Sequence, residues 1–181
     1  MRTGLHRLTL PAAGSLFLLL FSLLFPLLYS SSAAAQNICD KYQAQLKTLI
    51  KGAAGTEFRG GNQQTADLFG CNATDQGAGR VATLSVKRDD RPAQVAAGHE
   101  KSFPSPAFRI TRQAGLGAGG FRAVGSVVQA KDDEYLAYFG HNDRFLVAVT
   151  LAKAKPADRA LSADEDQAVK TLVSNLLREW R

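Results

Sequence analysis

Tyr135-Leu136-Ala137-Tyr138-Phe139, then Gly140-His141-Asn142-Asp143, then Arg144-Phe145-Leu146-Val147-Ala148-Val149-Thr150-Leu151: two β-prone runs flank four turn-forming residues. Gly tolerates any backbone sign, and Asn and Asp side chains bond their own backbone, so these four residues reverse the chain while the aromatic and β-branched runs pair as an antiparallel hairpin. On the second arm Phe145, Val147, Val149 and Leu151 fall on one face, and Leu146 and Ala148 add apolar groups to the other. A strand apolar on both faces is expected at the centre of a sheet, with cover on each side.

Working outward from that hairpin, Pro156 ends the sheet segment, and Ser162 with Glu165 makes a capping box. Val169, Leu172, Val173, Leu176, Leu177 and Trp180 then recur at helical spacing, which predicts an amphipathic C-terminal helix packed on the sheet. Upstream, Phe121 to Ala130 reads as a strand. Arg80 to Lys87 is another, with Ala82, Leu84 and Val86 on one face, and Asp67 to Ala73 a third, joined to it by a turn over Asp75 to Gly79. Asp90 as cap and Pro92 as first residue open a helix to about Ser102. Pro104 and Pro106 stop it, leaving an extended connection to Phe108. Ile38, Tyr42, Leu46, Leu49 and Ile50 predict an N-terminal helix ended by Gly52 and Gly55, followed by a polar loop over residues 56 to 64. The expected fold class is α+β: a mostly antiparallel sheet of four or five strands packed with N-terminal and C-terminal helices.

Residues 1–35 have the form of a signal peptide. Arg2 and Arg7 precede an apolar run from Leu16 to Leu28, and Ala33 and Ala35 supply the small-x-small pattern before Gln36. The apolar run is shorter than the about 20 residues a membrane helix needs, so cleavage after Ala35 is expected, with an uncleaved anchor from Leu8 to Tyr29 as the alternative. Residues 36–181 are then a single exported domain, periplasmic or extracellular, with no integral span. In that compartment Cys39 and Cys71, the only two cysteines, are expected to form a disulfide. The exported part carries twenty basic and sixteen acidic residues, interleaved along the chain, which is unlike the basic stripe of a nucleic-acid binder.

The chemistry-bearing residues are few. No Gly-x-Ser-x-Gly elbow, Ser-x-x-Lys or His-Glu-x-x-His occurs, and no catalytic, cofactor or metal site is assigned. Gly115, Gly117 and Gly120 match G-x-G-x-x-G, but the segment after them reads as a strand, whereas a dinucleotide needs the turn to enter a helix; a glycine turn in a β-rich sheet is the better reading. His99 shares a helical face with Val95, Ala96 and Phe103 and reads as a core-edge residue; His141 lies in the hairpin turn, where solvation accounts for it. Asp132-Asp133-Glu134 reads as a solvated loop before a strand. The favoured function is a non-catalytic envelope protein that binds a protein partner or small ligand through loop residues Gly115, Leu116, Gly117, Gly119, Gly120, His141, Asn142 and Asp143. The alternative is a hydrolase or other enzyme with a site assembled from dispersed residues such as His99, His141 and Asp143.

Cys39 on an N-terminal helix, Cys71 in a Phe-Gly-Cys strand, the Leu84-Ser85-Val86 strand, Gly115-Leu116-Gly117-Ala118 before a strand, Phe145-Leu146-Val147 and the amphipathic last helix together resemble a family of small exported bacterial proteins and lipoproteins of unknown function, some like the PsbP-type α/β/α sandwich. The resemblance implies that sandwich fold and an envelope address, and no catalytic residues. Gln36-Asn37-Ile38 before Cys39 is not a lipobox, and Ala118 stands where an acidic residue is common.

Overall fold

The computed structural model describes residues 30–50, 63–65, 67–104, 106–126, 133–154 and 160–181, the side chains of 30–38 and 63–65 excepted. The leader before Ser30, Gly52 and Gly55, most of the 56–64 loop, the Val127–Ala130 end of the expected strand, Asp132 and Pro156 lie outside the described residues. Three helices and seven strands are present among them. These are α1 (Ser30–Leu49), β1 (Gln63–Thr65), β2 (Leu68–Asp75), β3 (Arg80–Arg88), α2 (Pro92–Ser102), β4 (Phe108–Arg112), β5 (Phe121–Gly125), β6 (Tyr135–His141), β7 (Phe145–Lys153) and α3 (Ala163–Glu179). The expected cleavage point after Ala35 falls inside α1.

All strands join one antiparallel sheet in the order β1-β2-β3-β7-β6-β5-β4. Two meanders, β1-β2-β3 and β4-β5-β6-β7, are therefore sewn together by the β3–β7 pairing. That seam runs from Arg80 opposite Lys153 to Arg88 opposite Phe145. The α+β class is as expected, but the strand count exceeds four or five, because β1 and β4 escaped the reading. β4 begins at Phe108, where the expected extended connection ends, and β1 falls at the end of the expected 56–64 loop.

β7 lies at the middle of the sheet, as its two-sided apolar pattern requires. Its Val147, Val149 and Leu151 join Leu84, Val86, Leu136 and Tyr138 on one face. α1 packs on that face with Tyr42, Leu46 and Leu49, followed by Ile50 just past its end, and α3 with Val169, Leu172, Val173, Leu176 and Leu177. On the other face α2 covers β6 and β7, and Phe121, Ala123, Ala137 and Phe139 of β5 and β6 form a second apolar cluster joined by Phe103. Here Phe121 and Phe139 stack at 4.7 Å between ring centroids, and Phe103 meets each edge-on. Leu176 is fully buried, so Leu176→Ala is expected to cost about 2–5 kcal/mol in denaturant unfolding, and an unchanged midpoint would remove α3 from the core.

Three links fix the helices. Cys39 and Cys71 form a disulfide, with Cα atoms 5.5 Å apart, which ties α1 to β2. Tyr42 donates to the Glu179 carboxylate, which also pairs with Lys41 and so ties α1 to the end of α3. The capping box of α3 is formed as expected: Ser162 Oγ accepts from the Glu165 backbone N–H at 3.2 Å, and the Glu165 carboxylate accepts from Ser162 N–H at 2.8 Å. α2 begins at Pro92 as expected, but Asp90 does not cap it. Arg91 is the N-cap, without a side-chain cap bond, and Asp89 takes the Arg91 N–H at 2.9 Å. Lys87 and that N–H hold the Asp89 carboxyl below its usual range.

Burial sets the titration of the tyrosines. It pushes Tyr138 up to about 12, with help from the neighbouring Asp166 charge, and raises Tyr135 as well; burial and then the Glu179 bond raise Tyr42. A phenol raised in the fold stays neutral while the unfolded chain ionises near about pH 10, so this stability is present below that pH and is lost as pH rises through the folded values. Phenolate absorbance of these three tyrosines should therefore rise together with loss of the circular dichroism of the fold. Ionisation near pH 10 with the dichroism intact would contradict their burial.

Candidate functional site

β4 and β5 are joined by residues 113–120, whose glycines serve close approach. Gly115 and Gly117 have φ of 83° and 91°, the left-handed region that L side chains avoid. A Cβ on Gly117 would lie 2.1 Å from the His141 carbonyl oxygen, and one on Gly140 would lie 2.6 Å from Leu177 Cδ1. The loop is thereby drawn down onto the end of β6. Leu116 at its centre is fully buried and joins the core cluster that includes Val173 and Leu177. Gly117→Ala adds both a backbone clash and a forbidden φ, and should lower stability by about 1–3 kcal/mol in thermal melts; an unchanged melt would show the loop unpinned.

His141 is where the two expected loops meet. It closes β6 and is 8 % exposed, which corrects its reading as a solvated turn residue; the turn itself is Asn142 to Arg144. Its backbone N–H donates to Leu116 O at 2.9 Å, and its Nε2 accepts the Gly119 N–H at 3.1 Å. Since a backbone amide can only donate, the ring proton is on Nδ1, which faces Asn142 O at 3.4 Å. From the other side Arg112 Nη1 donates to Gly119 O at 3.0 Å, and its Nη2 pairs with Glu100 of α2 at 2.6 Å. Asn142 supports the hairpin: its Oδ1 accepts from Arg144 and Phe145 N–H, and its Nδ2 donates to Trp180 O. Asp143 is exposed.

Two depressions flank this junction. One, of about 660 Å³, runs between α2 and the glycine loop, walled by Ala93, Ala97, Ala118 and Gly117 to Gly120 with Arg112 at its rim. The other, of about 380 Å³, lies at the start of α2 between Asp90, Arg91 and Pro92 on one side and His141 and Asp143 on the other. Ala93 lines both, so they adjoin. A third cleft, about 390 Å³, separates α1 from α3 at Leu49, Ala168 and Leu172 and touches none of the expected site residues.

The structure thus brings together Gly117, Gly119, Gly120, His141 and Asp143, turns Leu116 inward to the core, and leaves Gly115 in open space. His99 is exposed on α2 and stacks on Phe139 at 5.2 Å; His141 follows on the same face of β6, and both of its ring nitrogens face backbone groups. Among the described residues no ion pair joins either histidine to a carboxylate. Reading the sequence missed Arg91, Ala93, Ala97 and Arg112; only their small or cationic character, without a pattern, marked them. The Cys39–Cys71 bridge is as expected, and no helix among the described residues is long and apolar enough to cross a membrane. No family model, no curated protein and no solved structure matches the chain.

Proposed function

We propose that this is a non-catalytic binding protein of the cell envelope, and that its recognition surface is the paired depression along α2. What carries this reading is the meeting of two loops, 115–120 and 141–143, on His141, framing adjoining hollows, the larger walled by alanine and glycine with Arg112 and the smaller lined by Asp90, Arg91 and Asp143. Walls of alanine and glycine let a partner's backbone or a flat ligand come close, and the guanidinium groups bring positive charge to the edge. The leader-like residues before Gln36 and the disulfide support an exported address, in keeping with the resemblance to small exported bacterial proteins.

Affinity capture from the native envelope tests it. The full chain and the control Gln167→Arg on the exposed side of α3 should enrich one reproducible protein, or retain one small molecule by native mass spectrometry. Ala97→Arg, which fills the hollow from α2, should reduce that capture by about tenfold, the equivalent of about 1.4 kcal/mol. Equal capture by Ala97→Arg, or no reproducible partner or ligand at all, overturns the proposal.

A further inference from the structure

The glycine loop has one anchor that depends on protonation. The Gly119 N–H finds its acceptor in the Nε2 lone pair of His141, 3.1 Å away, on a ring almost wholly excluded from water. A proton taken up at Nε2 occupies that lone pair and turns the acceptor into a second donor, facing the amide it held. Of the ordinary side chains, imidazole is the one that makes this change between about pH 5 and 8. The other anchors lack that sensitivity: Leu116 stays in the core, the His141 backbone N–H still holds Leu116 O, and Arg112 still reaches Gly119 O.

We propose that His141 is a proton-operated latch on the loop. Protonation at Nε2 frees the Gly119 N–H, while Leu116 keeps the loop rooted in the core and Arg112 keeps Gly119 O, and the wall of the larger hollow at Gly119 is reshaped. Asp90 and Arg91 line the smaller hollow together with His141 from the start of α2, Asp143 lines it from the turn, and Arg112 approaches across Gly119 with Glu100 held behind it. The further consequence, that occupancy of the groove falls with pH, rests on the binding reading above.

Nuclear magnetic resonance of the full chain tests the latch without any ligand. Relative to its intrinsic exchange rate at each pH, the Gly119 amide should be protected at about pH 7.5 and about tenfold less protected at about pH 5. The Gly119 amide shift and the His141 ring-nitrogen shifts should follow one titration. His141→Gln supplies an amide oxygen that accepts without taking a proton, and its Gly119 protection should not change between the two pH values. Constant protection in the natural chain, or an equal loss in His141→Gln, overturns the latch; if that variant does not fold, separate midpoints for the ring and the amide overturn it. Capture of the partner at both pH values separates the claims, since a latch that opens while capture stays constant refutes the groove and leaves the latch standing.

Discussion

Replacing Cys39 and Cys71 together by alanine is expected to lower stability by about 3–4 kcal/mol, because the bridge closes a loop of 32 residues that the unfolded chain must otherwise order unaided. For a domain of this size that corresponds to a fall of about 10 °C in Tm. The loss should concentrate in α1. The bridge is its covalent tie to the sheet, beside the packing of Tyr42, Leu46, Leu49 and Ile50, so amides of residues 39–50 should lose exchange protection before those of β6 and β7. The unaltered chain under a strong thiol reductant should follow the same curve as the variant. A midpoint within a degree or two of the oxidised protein would show that packing alone seats the helix.

The second large effect is at the opposite end of α3. Lys153 and Glu165 are 3 % and 5 % exposed and lie 3.2 Å apart; the ammonium also donates to Ala160 O at 2.7 Å, and the carboxylate also takes the Ser162 N–H of the capping box. Lys153→Met takes the facing ammonium away from a buried carboxylate and should cost about 3–5 kcal/mol. Adding Glu165→Gln to that variant removes the buried negative charge while its amide still serves the capping box, so the double variant should be more stable than Lys153→Met alone. Urea unfolding of the set of four proteins measures this coupling. A double variant no better than the single would assign the loss to packing of the lysine stem, with the charge immaterial.

The parts of the fold that were legible in the sequence are those where burial writes a period. The α3 stripe, the two-sided apolar pattern of β7 and the 80–88 strand were read with the right faces, because each buries side chains at a fixed spacing. β4 was not legible, since an edge strand needs only one covered face and Phe108-Arg109-Ile110-Thr111-Arg112 shows two arginines in five positions. β1, Gln63-Gln64-Thr65, has no apolar residue at all. For the site, the glycine spacing pointed to a turn but not to what the turn packs against. The burial of His141 depends on Leu116 arriving from another strand connection, a contact of sequence separation that no local pattern records. Asp89 and Asp90 differ only in which carboxylate reaches the Arg91 amide, a matter of backbone direction at the end of β3.

The seam between the two meanders has a consequence for biogenesis. A ribosome makes β3 more than fifty residues before β7, the strand that covers its inner edge, so a nascent chain carries a bare row of amides and carbonyls beside Leu84 and Val86 until its last stretch emerges. Slow synthesis or truncation between α2 and β7 should accordingly yield sticky, insoluble fragments, whereas the same length of delay after Lys153 would find the seam already closed.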